Sequence, residues 1–315
     1  MKHAKSQTSA TLLGVPLDLG AENLGVDMGA SAFRYQHIAD KLQSAGIAIT
    51  DAGDIHCRHR SQVPVGSPRL RHLEEIVRVS EETAKKAESI VAEGQKAIVL
   101  GGDHSVCLGA VAGASVALKG DIGLIYFDAH GDMNTDKTTL TGNIHGMHLA
   151  SLMGFGAPEL AEVYGKQTKL DKQHLLHIGG SDFDTAELEL IERENLQTFT
   201  MFDLLTSNLG ALWPMINKLQ SQVKNIWISL DLDSIDALYA PGAGMPNQKG
   251  MNYREIATIA QYIGEHCNVV GIDVVEYNPL QDVDRKTAEL ATELIATFFG
   301  KQYSWYTHYL EENKL

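Results

Sequence analysis

Six side chains in this sequence stand where they could hold metal ions. Asp128, His130 and Asp132 occupy alternate positions just past an apolar run, and residues spaced by two in extended chain point the same way. Asp231 and Asp233 repeat the arrangement after another such run, and His104 follows a third. Together they offer four carboxylates and two imidazoles. Acidic groups crowded together repel unless a cation lies among them. The set is rich in oxygen, has two nitrogens and no thiolate, which suits Mn²⁺, with Co²⁺, Ni²⁺ or Fe²⁺ compatible with the same donors. Two ions sharing carboxylates would lie about 3.5–4 Å apart. A lone Asp-x-Asp after a strand is usually a turn, and Asp103 or Ser105 alone could simply cap a helix. Recurrence at three strand ends is what points to metal.

The elements that must position these groups are legible as alternation. Short runs rich in Ile, Val and Leu cover residues 11–15, 47–50, 97–100, 122–127, 175–178, 226–230 and 269–275. Continuous apolar runs of this length suit strands buried on both faces of a parallel sheet. Longer segments with polar faces lie between them, such as 73–93, 253–266 and 286–299, and Ile256, Ile259, Ala260 and Ile263 follow helical spacing. The pattern predicts a single α/β domain over residues 1–315. Four of the runs end in polar or glycine-rich clusters: Gly101–Ser105, Asp128–Asp132, Asp231–Asp233 and Glu276–Pro279. The carboxyl ends of parallel strands form the ligand crevice of such sheets, so these clusters should converge.

Composition narrows the partners. The 315 residues are 44% hydrophobic, enough for a large core without staples. Net charge is −14 and no run is rich in Lys or Arg, which argues against nucleic acid as a partner. The three cysteines, Cys57, Cys107 and Cys267, lie far apart and suit a reducing compartment. No apolar run approaches the about 20 residues that span a bilayer, and residues 1–10 lack the apolar stretch of a secretory signal. The expectation is a cytoplasmic protein with no membrane partner.

The motifs carry a resemblance. The chain resembles the arginases of the ureohydrolase family along nearly its whole length: Leu-Gly-Val-Pro-Leu-Asp-Leu-Gly (13–20), Gly-Gly-Asp-His-Ser (101–105), Asp-Ala-His-Gly-Asp-Met-Asn-Thr (128–135), Gly-Asn-Ile-His-Gly (142–146), Ser-Leu-Asp-Leu-Asp (229–233) and Val-Glu-Tyr-Asn-Pro (275–279). The resemblance implies a three-layer α/β/α domain around a mostly parallel sheet of about eight strands, with two Mn²⁺ ions per chain. One ion would be held by His104, Asp128, Asp132 and Asp231. The other would be held by His130, Asp128, Asp231 and Asp233, so that Asp128 and Asp231 bridge. It implies a small guanidino substrate, L-arginine, cut to L-ornithine and urea. Water between two divalent ions loses a proton readily, which gives a nucleophile strong enough for the resonance-stabilised guanidinium.

The same resemblance assigns the remaining residues. Asp132 would pass a proton to the leaving amine, Glu276 would grip the guanidinium through charge-assisted bonds, and His145 would exchange protons with solvent or act as general acid. Asn134 and Thr141 would meet the α-carboxylate, and Asp184 and Glu187 the α-amino group. Three positions depart from the family pattern: Met245 stands where a Thr is usual, Asp136 where a Pro is usual, and Asn23-Leu24 where many members carry an Arg. Family members are trimers or hexamers, so a homotrimer or homohexamer is expected, with the aromatic tail 301–315 (Tyr303, Trp305, Tyr306, Tyr309) packed between subunits. Met245 keeps open a sister ureohydrolase acting on agmatine, guanidinobutyrate or formiminoglutamate. A non-catalytic scaffold would be marked by missing ligands, and none of the six is missing.

Overall fold

The computed structural model describes residues 8–301. Among them, eight strands form one sheet: β1 (Thr8–Val15), β2 (Ile47–Asp54), β3 (Lys96–Gly101), β4 (Ile122–Phe127), β5 (Leu175–Ile178), β6 (Gln197–Phe199), β7 (Asn225–Asp231) and β8 (Val269–Val275). Their order is β2-β1-β3-β8-β7-β4-β5-β6, and every neighbouring pair is parallel. Six helices of ten residues or more lie among the described residues: α1 (Leu73–Ala92), α2 (Val106–Ala117), α3 (Thr185–Glu194), α4 (Leu212–Gln222), α5 (Tyr253–His266) and α6 (Lys286–Phe298).

Period-two alternation divides the strand side chains between two cores. Leu12, Leu100, Phe127, Leu230 and Val274 face one side with residues of α4, α5 and α6, while Leu13, Val99, Leu124 and Trp227 face the other with α1 and α2. The result is the expected α/β/α layering. Both faces of the sheet are covered, which is why its strands read as unbroken apolar runs. The helix read from Ile256, Ile259, Ala260 and Ile263 buries those four side chains. It starts at Asn252, whose Oδ1 accepts from the Arg254 and Glu255 amides at 2.9 and 3.1 Å.

Two departures from the sequence expectation have local causes. The edge strand β6 is only three residues long and was not among the apolar runs. Strand β2 runs on to Asp54 through exposed polar residues, because Arg34 pairs with both Asp51 and Asp54 along that edge. No helix among the described residues is long and apolar enough to cross a membrane. The tail assigned to a subunit interface lies, after Lys301, outside the described residues.

Three of the four central strands, β3, β7 and β4, deliver the six candidate ligands, and the fourth, β8, delivers Glu276. The turn after β3 is held closely against the tail of β1: the Gly102 amide donates to Val15 O at 2.9 Å and the Asp103 amide to Leu17 O at 2.7 Å. A Cβ at Gly102 would stand 1.8 Å from Leu17 O, a backbone atom that cannot rotate away. Gly102→Ala is therefore expected to lower unfolding free energy by about 3 kcal/mol, measured by denaturant titration; parental stability would contradict this packing.

Candidate metal centre

The structure brings all six predicted side chains to one place beyond the carboxyl ends of the central strands. His104 Nδ1 lies 2.9 Å from Asp128 Oδ2, 3.1 Å from Asp231 Oδ2 and 3.4 Å from Asp132 Oδ2. His130 Nδ1 lies 3.1 Å from Asp233 Oδ2 and 3.4 Å from Asp128 Oδ1. Two groups able to hold an ion result, His104–Asp128–Asp132 and Asp128–His130–Asp233, and Asp128 belongs to both. Asp231 sits beside the first.

Backbone amides aim the carboxylates. Asp128 Oδ1 accepts from the His130 amide at 2.7 Å, Asp231 Oδ1 from the Asp233 amide at 2.8 Å, and Asp233 Oδ1 from the Ala129 amide at 3.2 Å. In each case one oxygen is tied to the main chain and the other turns towards an imidazole. This is why the alternate spacing matters: the second residue's amide holds the first residue's carboxylate.

His104 is oriented from behind. Its Nε2 lies 2.8 Å from Ser229 Oγ, and Ser229 in turn donates to Asp273 Oδ2, which leaves the hydroxyl oxygen to accept from Nε2–H. Trp227 Nε1 donates to the other oxygen of Asp273. The chain Trp227–Asp273–Ser229 thus fixes the imidazole so that Nδ1 is the nitrogen free to bind.

The electrostatics call for positive charge. All four aspartates are buried, and among the described residues no Lys or Arg pairs with any of them. Burial pushes the Asp132, Asp231 and Asp233 carboxyls up, and the charge of neighbouring carboxylates pushes them further. Burial also works against Asp128, but bonds from His104 and His130 outweigh it and hold its carboxyl well down. Burial likewise opposes a charged His104 and His130, yet the carboxylates beside them raise both. Protons occupy the places that cations would fill, and ion binding would release them. The donor set therefore fits a pair of hard divalent cations.

His130, Asp132, Asp231 and Asp233 line one wall of a cavity of about 320 Å³, while His104 and Asp128 are fully buried. Asn134, Thr141, His145, Asp184, Glu187, Met245 and Glu276 line the rest, so every substrate residue expected from the sequence faces the same space. Residues 8–300 match the model of the arginase family. The chain is 36% identical to the arginase of Bacillus caldovelox, across 93% of this chain and 98% of that one. It is 37% identical to the arginase of Brevibacillus brevis, across 92% and 97%. The crystal structure of the Bacillus cereus arginase superposes with a TM-score of 0.88 at 35% identity, covering 94% of this chain and all of that one.

This chain belongs to the arginase family.

Within the arginase-family site, Asp132 and Glu276 both adopt left-handed backbone, at φ 52 and 60. That conformation is uncommon for residues with a Cβ and clusters at functional sites. Glu276 is held by its own amide, which donates to Gly102 O at 2.8 Å, and by its carbonyl, which accepts from Gly244 at 2.7 Å. Its Oε1 accepts from the His104 amide at 3.0 Å and from His145 Nδ1 at 3.3 Å. Asn134 Nδ2 donates to Asp184 Oδ2 at 2.8 Å, and Asn134 Oδ1 has no protein partner although buried. Glu187 Oε1 accepts from the Met133 amide and Oε2 from the Asp184 amide. Thr141 is exposed at the rim.

Sequence reasoning missed the supporting layer: Tyr126, His148, Ser229 and Asp273. A signal existed for two of them. Asp273 interrupts an otherwise apolar strand, and Tyr126 stands two residues before Asp128, on the same strand face.

His145 yields a direct test. Burial opposes its charge, but the Glu276 carboxylate outweighs this and holds the imidazole up at about 9. That value exceeds the unfolded one, so the pair's contribution to stability is complete below pH 6.5 and fades as pH rises through about 9. In metal-free protein, an NMR titration should find His145 near 9, and Glu276→Gln should bring it down towards 6.5. A value unmoved by the substitution would show that the pairing is not formed.

Proposed function

We propose that this chain hydrolyses the guanidinium group of L-arginine, giving L-ornithine and urea. The observation that carries the reading is the pair of His/Asp clusters sharing Asp128, which reach a cavity through Asp132, His130 and Asp233, and Glu276 lines the same cavity. Membership of the arginase family and relatives named as arginases support it.

In this reading His104, Asp128, Asp132 and Asp231 would hold one ion, and His130, Asp128, Asp231 and Asp233 would hold the other. The oxygen-rich donors favour Mn²⁺ over ions that recruit thiolates. When bound, a pair of divalent ions lowers the pKa of water and so supplies a nucleophile at neutral pH. Glu276 orients the electrophile: Oε1 is occupied by the His104 amide and His145, which leaves Oε2 to accept N–H groups of the guanidinium. Asp132 takes up a proton at its carboxylate and delivers it to the departing amine. His145, partly open to solvent, moves protons between the site and bulk water or acts as general acid.

The far end of the substrate meets Asn134 and Thr141 through its α-carboxylate, and Asp184 and Glu187 through its α-amine. Asn134 Nδ2 is the atom that can donate to the α-carboxylate, while the unpartnered Oδ1 can only accept, as from the α-amine. Met245 supports a second reading. It lines the cavity and is 39% exposed, offering no hydroxyl where the family pattern has a Thr. A smaller or modified guanidino compound would suffer less from that loss than arginine. We further propose one catalytic domain over residues 1–315, a homotrimer or homohexamer, and a cytoplasmic location.

Purified protein loaded with Mn²⁺ should convert arginine to equal amounts of urea and ornithine. Glu276→Gln should cut kcat/KM about tenfold to a hundredfold, the worth of one charged hydrogen bond. Silence on arginine, with turnover of agmatine, guanidinobutyrate or formiminoglutamate, would establish the second reading.

A further inference from the structure

Tyr126 is neither among the six ligands nor among the substrate contacts, yet its hydroxyl lies within the first cluster. Oη stands 2.7 Å from Asp132 Oδ2, 2.9 Å from Asp128 Oδ2, 3.1 Å from His104 Nδ1 and 3.2 Å from His148 Nε2. The residue is fully buried, and its ring stacks on His104 with centroids 4.7 Å apart and planes within 6°. Strand β4 puts it there, two residues before Asp128 and on the same face.

A proton count shows a conflict. His148 Nδ1 lies 2.6 Å from the carbonyl oxygen of His145, which can only accept, so Nδ1 carries the hydrogen and Nε2 is bare. Once ion binding has released the protons of this site, three acceptors, His148 Nε2, Asp128 Oδ2 and Asp132 Oδ2, face a hydroxyl that has one hydrogen. At least two of these contacts then set lone pair against lone pair between buried atoms. In that ion-binding state His104 Nδ1 adds a fourth, because its remaining hydrogen, on Nε2, is committed to Ser229.

A cation common to Oη, His104 Nδ1, Asp128 Oδ2, Asp132 Oδ2 and Asp231 Oδ2 removes the conflict. The spacings agree with one coordination shell. Donors about 2.1 Å from an ion and at right angles to each other are about 3.0 Å apart. The contacts among these atoms run from 2.7 to 3.4 Å.

We propose that Tyr126 Oη is a fifth protein donor to the ion of the His104 cluster, with its hydrogen directed at His148 Nε2. The hydroxyl stays protonated, so it adds a donor without adding charge. His148 is a positioning residue that turns the oxygen lone pairs inward. The inference rests on the dinuclear reading given above. It makes the two ion sites unequal: the first has an extra neutral oxygen, and the second has four protein donors.

Calorimetric titration of Mn²⁺ into metal-free protein tests this. The parent chain should take up two ions. Tyr126→Phe, which removes only the hydroxyl, should weaken one of them about tenfold to a hundredfold and leave the other unchanged. The visible spectrum of the Co²⁺-loaded variant should also differ from the parent's, since the first ion loses an oxygen donor. His148→Asn keeps a donor for His145 O but removes the acceptor for Oη, and should weaken one ion in the same direction. Parental affinity for both ions in either variant, or an unchanged Co²⁺ spectrum for Tyr126→Phe, overturns the assignment. A parent chain that takes up no ions overturns the dinuclear reading itself, a result distinct from the failure of this inference alone.

Discussion

Carboxylates cannot be taken out of water a few ångströms apart unless positive charge goes with them. Asp128, Asp132, Asp231 and Asp233 are in that position, and the arrangement around them follows from it. The sheet supplies the convergence, because its four central strands end on the same side and each contributes a ligand or, through β8, Glu276. The main chain supplies the aim, by tying one oxygen of three of these carboxylates to an amide. The two imidazoles, held by the same carboxylates, carry protons where cations would otherwise sit. A parallel sheet packed on both faces is stiff enough to keep such a repulsive group in register.

The metal-ligating side chains were legible from residue type and spacing, because the geometry that makes them ligands is local. Asp128 and His130 follow directly on β4, where the His130 amide aims the Asp128 carboxylate, whereas Asp132 reaches the cluster through left-handed backbone and not through extended chain. Strands such as β4 and β7 were legible for a related reason: burial on both faces leaves an unbroken apolar run. Edge elements were less so. Strand β6 is too short to register, and the outer half of β2 is exposed, with Arg34 paired to Asp51 and Asp54 along it. The supporting layer was hidden for a different reason. Ser229 and His148 act through residues far away in the chain, and nothing in their immediate sequence shows what stands opposite. His148 meets Tyr126 only because β4 and the turn after Asn143 pack together.

The substrate end of the cavity is less strongly determined than the metal end. Glu187 is occupied by two backbone amides, and Asp184 by Asn134, so these groups form a preorganised rim. Met245 brings an apolar side chain to the wall beside Glu276. A site that loses a polar contact there discriminates among guanidino compounds mainly by how well Glu276 and the rim are satisfied. Chemistry and selectivity are thus divided: the strand ends set the reaction, while the loops around residues 134–145, 182–187 and 245 set what enters.

The central claim is that the six side chains cage two ions, and anomalous diffraction from crystals grown with Mn²⁺ tests it most directly. The account predicts two peaks about 3.5–4 Å apart, with Asp128 and Asp231 reaching both, His104 reaching one and His130 the other. A single peak, or none between these residues at saturating Mn²⁺, would contradict it.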